Sequence, residues 1–110
     1  MEKNEFDKGI KFSFNNSIAY AEHAVVSKQI LKKETGNITL FAFDKAEGLS
    51  EHTAPFDAVV YIIDGKADVI IDGKSNILEA NDTIIIPANA RHALKAVEKF
   101  KMVLTMIRSN

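Results

Sequence analysis

From Ile38 onward the apolar residues fall in short bursts: Ile38–Phe43, Ala58–Ile63, Ala67–Asp72, Thr83–Pro87 and Met102–Ile107. Each burst is rich in β-branched or aromatic residues and has the length of one strand, so an all-β chain is expected. The motif Ile-Ile-Asp-Gly-Lys occurs at 62–66 and again at 70–74. Asp-Gly favours the positive backbone angles of tight hairpins, so the two copies read as consecutive turns of a three-stranded meander. A solenoid repeat would be longer and would recur more often.

Two bursts, Val59–Ile63 and Thr83–Ile86, are apolar on both faces, whereas a sheet with one wet face alternates. One face packs on an opposite sheet. The other calls for a second cover, and a homodimer interface is the expected one. The first third is less decided. Ile18, Ala21, Val25 and Gln29 or Ile30 recur near helical spacing, with Asn16 or Ser17 as a cap and Gly36 as a stop. Val25-Val-Ser can equally begin a strand, and strands are the preferred reading. The expected organisation is a single domain over 1–110, with a core barrel over about 24–108 and N-terminal strands over about 9–31.

Composition narrows the partners. With 14 Lys and Arg against 15 Asp and Glu, both signs scattered, no basic stripe exists to displace counterions from nucleic acid. There is no cysteine, so the chain offers neither a disulfide nor a thiolate, and any metal would rest on His, Asp, Glu or water. The charged start of the chain lacks the apolar core of a secretory signal, and no apolar run approaches a membrane span. A cytoplasmic protein without membrane or nucleic-acid partners is expected.

Candidate chemistry lies in two stretches. The first runs from Gly48 through His52, Ala54 and Ala58 to Gly65, and the second is Pro87-Ala-Asn-Ala-Arg-His92. Together they resemble the two-part signature of the cupins, a family in which a glycine, His-x-His, a Glu and a closing Gly are followed by Gly, Pro-x-Gly and a final His. His52 and His92 match two ligand positions, while Ala54 and Ala58 occupy the second His and the Glu. Asn81 and Asn89 stand where glycines are usual, and asparagine tolerates left-handed backbone angles. The resemblance covers about 38–107 and implies a cupin double-stranded β-helix, a jelly-roll barrel. It also implies that His52, Ala54 and Ala58 share one wall of the barrel interior; strand alternation adds Val60 and Ile62. Asp57 cannot replace the missing Glu, because a shift of one residue turns a side chain to the other face.

This wall predicts a roomy apolar cavity with two imidazoles as its polar features, suited to a small molecule such as an anion or a sugar. The expected ligand-binding residues are His52, Ala54, Ala58, Val60, Ile62 and His92. Phe41, Phe43, Tyr61, Leu94, Met102, Leu104 and Met106 are further lining candidates, against which stands simple core packing. His52 and His92 are also the candidate catalytic residues and metal ligands. A catalytic cation commonly takes three protein ligands, so two imidazoles without the carboxylate favour weak binding of zinc, nickel or copper, with manganese and iron the remaining divalent candidates. The plain structural reading makes both histidines hydrogen-bonded pocket walls. His23 reads as structural or exposed, Glu51 and Arg91 as solvated rim charges, Lys32-Lys-Glu as a loop and Glu98-Lys99 as a surface turn. Three functions follow: a small-molecule-binding barrel, a metal-dependent enzyme of the dioxygenase or isomerase class, or an interaction protein with a vestigial pocket. The family alone does not choose among them.

Overall fold

The computed structural model describes residues 6–108. It contains seven strands: β1 (Val25–Lys33), β2 (Gly36–Phe43), β3 (Gly48–His52), β4 (Phe56–Ile71), β5 (Lys74–Glu79), β6 (Thr83–Ile86) and β7 (His92–Arg108). The only helical element among the described residues is a single 3-10 turn at Asn15–Ser17. No helix among them is long and apolar enough to cross a membrane.

All strand pairs are antiparallel, and the long strands β4 and β7 run side by side through both layers of the barrel. In one layer Phe56–Ile62 of β4 lie between β6 and the last third of β7, which continues to β2 and β1. In the other, Ala67–Ile71 of β4 pair with β5 and with the start of β7, which also carries β3. The change of layer occurs where the register breaks, between Ile62 and Asp64 and between Gly65 and Ala67.

This corner corrects the expected meander. Only Asp72-Gly73 is a hairpin: both residues have positive φ (49° and 80°), and Ile71 pairs with Lys74 across a two-residue turn. Asp64-Gly65 instead bends one continuous strand. Gly65 has φ 85°, and a Cβ there would lie 1.8 Å from the Lys99 carbonyl oxygen, so the neighbouring backbone excludes any side chain. Opposite it, Val97–Lys99 bulge out of the ladder, so Glu98-Lys99 is an exposed bulge within β7 and not a turn between strands. The extra residue on β4 moves its inward positions from Ala58, Val60 and Ile62 to Ala67 and Val69.

The interior gathers these residues with Phe43, Leu78, Ile86, Leu94, Ala96, Phe100 and Met102. Phe43 and Phe100 stack at 4.5 Å with planes 8° apart and fill the closed end beside the corner.

The N-terminal stretch is an extended strap. Strand begins at Val25, so residues 9–24 are not strands as expected, and Lys32 and Lys33 belong to the end of β1 instead of to a loop. Ile18 is buried on the outer face of the barrel with Leu40, Ala42 and Val103, joined by Phe14, Tyr20, Tyr61 and Ile63. Tyr61 and Ile63 therefore have an intramolecular cover. Polar contacts hold the strap: Lys101 Nζ donates to Asn15 O (2.8 Å), Lys28 Nζ to Ser17 O (2.7 Å) and Tyr20 Oη to Asp64 Oδ2 (2.5 Å). Burial and then the Asp64 carboxylate push the Tyr20 phenol well above the usual tyrosine range. Lys99 and Lys101 place their ammonium groups 4.8 and 5.2 Å from the centre of its ring.

The His23 backbone N–H donates to Asp44 at 2.7 Å, while its imidazole is exposed beside Glu22. Backbone N–H groups of His23 and Lys45 hold the Asp44 carboxyl below its ordinary range.

Candidate functional site

The opposite end of the barrel is built by the termini of β3, β4 and β7 with the turn between β6 and β7. Pro87 ends β6 because it has no N–H for the ladder. The turn that follows is pinned by Ala88 N–H to Asp57 Oδ1 (2.9 Å), Asn89 N–H to Ala54 O (2.8 Å) and Ala90 N–H to Pro87 O (3.2 Å). Asn89 and Asn81 both adopt left-handed angles (φ 70° and 79°), which explains how the turns form without glycine. Asp57 faces away from the interior and ties the turn to β4.

His92 opens β7 directly opposite His52, the last residue of β3. Their ring centroids are 4.3 Å apart, with planes at 60°. His92 is buried, whereas His52 lies exposed at the mouth. Each ring is anchored on a backbone carbonyl two residues earlier: His52 Nδ1 to Ser50 O at 2.7 Å, and His92 Nδ1 to Ala90 O at 3.0 Å. A carbonyl oxygen only accepts, so each Nδ1 is the donor. In the neutral ring that leaves Nε2 with a lone pair and no proton.

Among the described residues, the two imidazoles are the only titratable side chains lining a cavity of about 50 Å³. Ala54, Ala58 and Val60 line it, and Leu94, Met102, Leu104 and Met106 complete much of the wall. The space left by the two alanines is largely refilled by methionine and leucine, so the cavity is small where a roomy one was expected. Ile62 shares the inward face of β4 but is fully buried in the core and does not line the cavity. Phe41 and Phe43 stand outside the lining, and Tyr61 belongs to the outer cluster beneath the strap. Glu51 and Arg91 are exposed beside the two histidines, as rim charges.

Sequence reasoning missed Leu49, Phe56 and Ile86. Phe56 and Ile86 were within reach: Phe56 is two residues before Ala58 on the same strand, and Ile86 pairs directly with Ala58. Leu49 lies on β3, whose register shifts between Leu49 and His52, and carried no signal.

The donor set bears on a metal. Both rings are oriented as metal-ligating histidines are, with Nδ1 given to a second partner and Nε2 without a hydrogen bond. Among the described residues no group of three or more His, Asp or Glu side chains forms around them. The set therefore stops short of the three protein ligands of a usual catalytic centre.

Comparison with known proteins agrees with this architecture. A conserved protein of unknown function from Streptococcus pyogenes superposes with a TM-score of 0.91 at 28% identity, over 97% of this chain and 94% of the other. A cupin superfamily protein from Desulfitobacterium hafniense gives 0.88 at 25% identity, over 97% of each chain. A Cupin 2 conserved barrel domain protein from Leptotrichia buccalis gives 0.86 at 35% identity, over 88% of this chain and 47% of the other. None of the curated proteins matches the sequence. The cupin domain model matches residues 39–108, the span that holds both histidines, the Gly65 corner and the Pro87 turn. On the fold and on this match, the chain belongs to the cupin family, as an all-β barrel.

Proposed function

We propose that this protein is a small-molecule-binding cupin barrel whose ligand is held at the mouth by His52 and His92. The observation that carries the reading is the pair of anchored imidazoles, each with a free Nε2, lining an otherwise apolar cavity that holds no carboxylate. Such a site accepts hydrogen bonds from a ligand and buries its apolar part, the usual composition of a small-molecule pocket. A thermal-shift screen of small organic compounds on wild type and on the His52→Ala/His92→Ala variant tests it, since binding only to the folded state raises its stability. Compounds that stabilise the wild type and not the variant are expected. A library that stabilises neither, or both equally, would sink the reading.

A second reading is a metal-dependent enzyme of the dioxygenase or isomerase class, with the two imidazoles sharing a cation whose shell is completed by water or ligand. The anchoring of both Nδ1 atoms favours it. Elemental analysis of tag-free protein decides: near-stoichiometric metal that disappears in the double variant supports this reading. A wild type that stays metal-free after soaking with zinc, nickel or manganese removes it.

We also propose a homodimer, on a narrower surface than the sequence suggested. With Tyr61 and Ile63 covered by the strap, an uncharged row among the described residues runs across the outer face of this layer through Ile85, Val59, Thr105, Ile38, which also packs against the Ile18 cluster, and Leu31. Ile85 is 63% exposed, and Ile107 beside the row 55%. The row crosses five strands without a charge, and a twofold axis would lay it on its own copy. Ile85→Lys is expected to shift the mass in solution to that of a monomer. A wild type already monomeric at high concentration would contradict the proposal.

A further inference from the structure

We infer that Arg108 and Phe56 form a selective gate at the mouth, and that the ligand is a small monocarboxylate with an apolar body; this rests on reading the cavity as a ligand site. Directly paired residues of antiparallel strands share a face. Val60–Leu104 and Ala58–Met106 are successive pairs of β4 and β7, and all four side chains line the cavity. The next pair toward the end of the strands is Phe56–Arg108. Arg108 thus stands on the cavity-facing side of this wall, at its rim, where it supplies a permanent positive charge.

The Arg108 guanidinium lies over the Phe56 ring, 4.8 Å from its centre. No carboxylate among the described residues pairs with it. Phe56 lines two spaces at once, the histidine cavity and an open groove of about 460 Å³ whose other lining residues are Lys32, Lys33, Glu34, Asn37 and Arg108. The cavity alone, about 50 Å³, is well below the roughly 150 Å³ of a cavity that takes a benzene-sized guest. A larger guest must displace the Phe56 ring, which joins the cavity to the groove.

The polarity of the joined space then fixes the orientation. A carboxylate finds the planar donor fork of Arg108, which matches it in two parallel hydrogen bonds. The apolar body lies along Ala58 and Met106. A hydroxyl or amine at the far end, where present, donates to Nε2 of His52 or His92.

The test is calorimetric titration with butyrate and its neutral isostere butyramide against the wild type, Arg108→Gln, Phe56→Ala and His52→Ala. For a charge-assisted pair, wild type is expected to prefer butyrate by about tenfold or more, and Arg108→Gln to abolish that preference while leaving butyramide within about twofold. Affinity should rise about threefold to fourfold per methylene from acetate to butyrate. Phe56→Ala should admit benzoate more tightly than the wild type does. Equal affinity for butyrate and butyramide, a preference that survives in Arg108→Gln, or no binding of butyrate overturns the inference. In those cases the site itself still stands if neutral compounds from the thermal screen lose affinity in His52→Ala, and it falls with the inference if they do not.

Discussion

The two ends of this barrel are made by the same two strands and have opposite contents. At the closed end, β4 and β7 turn the corner at Gly65 and Phe100, and the space is filled by the stacked rings of Phe43 and Phe100. At the open end the strands finish at Phe56, Arg108 and His92, the wall residues shrink to Ala54 and Ala58, and the polar groups are two imidazoles. One end holds the layers together and the other leaves a small cavity. The strands that carry both cannot slip without disturbing both, because the Gly65 corner fixes their register.

The sharpest way to break the contrast is to truncate a ring at each end. Phe100→Ala removes a fully buried, stacked ring and should cost about 3–5 kcal/mol in denaturant unfolding. Phe56→Ala removes a half-buried ring at the mouth and should cost about 1–2 kcal/mol. Comparable losses would mean that the mouth is core. A second test restores the family's ligand positions at the open end: Ala54→His with Ala58→Glu should make zinc strongly stabilising, by about 2.7 kcal/mol at a hundredfold excess over Kd. A folded double variant that ignores zinc would show that these residues do not converge.

Smaller effects are expected where the strap meets the barrel and at the histidines. Tyr20→Phe deletes the hydrogen bond to Asp64 and should cost about 1 kcal/mol. The folded-state pKa of Tyr20 is raised, so its contribution is complete below the usual tyrosine pKa and fades as pH rises through the folded value. In an ultraviolet titration Tyr20→Phe should remove a phenol that ionises unusually late. His52→Ala should change stability least, by less than about 1 kcal/mol, since its ring is exposed and its single bond is local. Its effect belongs in ligand binding.

Much of this was readable from the chain. The bursts at 38–43, 58–63 and 83–87 became strands because β-branched runs of that length have few other folded uses, and the positions of His52, Pro87 and His92 located the mouth. The corner was misread because Asp-Gly suits a hairpin and a bulged bend alike; only the Lys99 carbonyl, far away in sequence, decides between them. The strap was missed because the recurrence of Ile18, Ala21 and Val25 suits a helix or a strand, whereas residues 9–24 are ordered by the face they cover. The cavity was overestimated since alanines announce space, while the side chains that refill it arrive from β7. Arg108 was overlooked because it follows the last apolar burst, and its facing depends on a pairing with Phe56 that no local pattern reveals.

At the open end the two imidazoles give their Nδ1 protons to backbone carbonyls and leave their Nε2 lone pairs without a partner. Long-range proton–nitrogen NMR correlation on ¹⁵N-labelled protein, with both rings neutral, reads this directly. His52 and His92 are each expected to show a protonated Nδ1 and an unprotonated Nε2. A proton on Nε2 of either ring would contradict this, because that ring could then neither accept a ligand's hydrogen bond nor hold a metal at that atom.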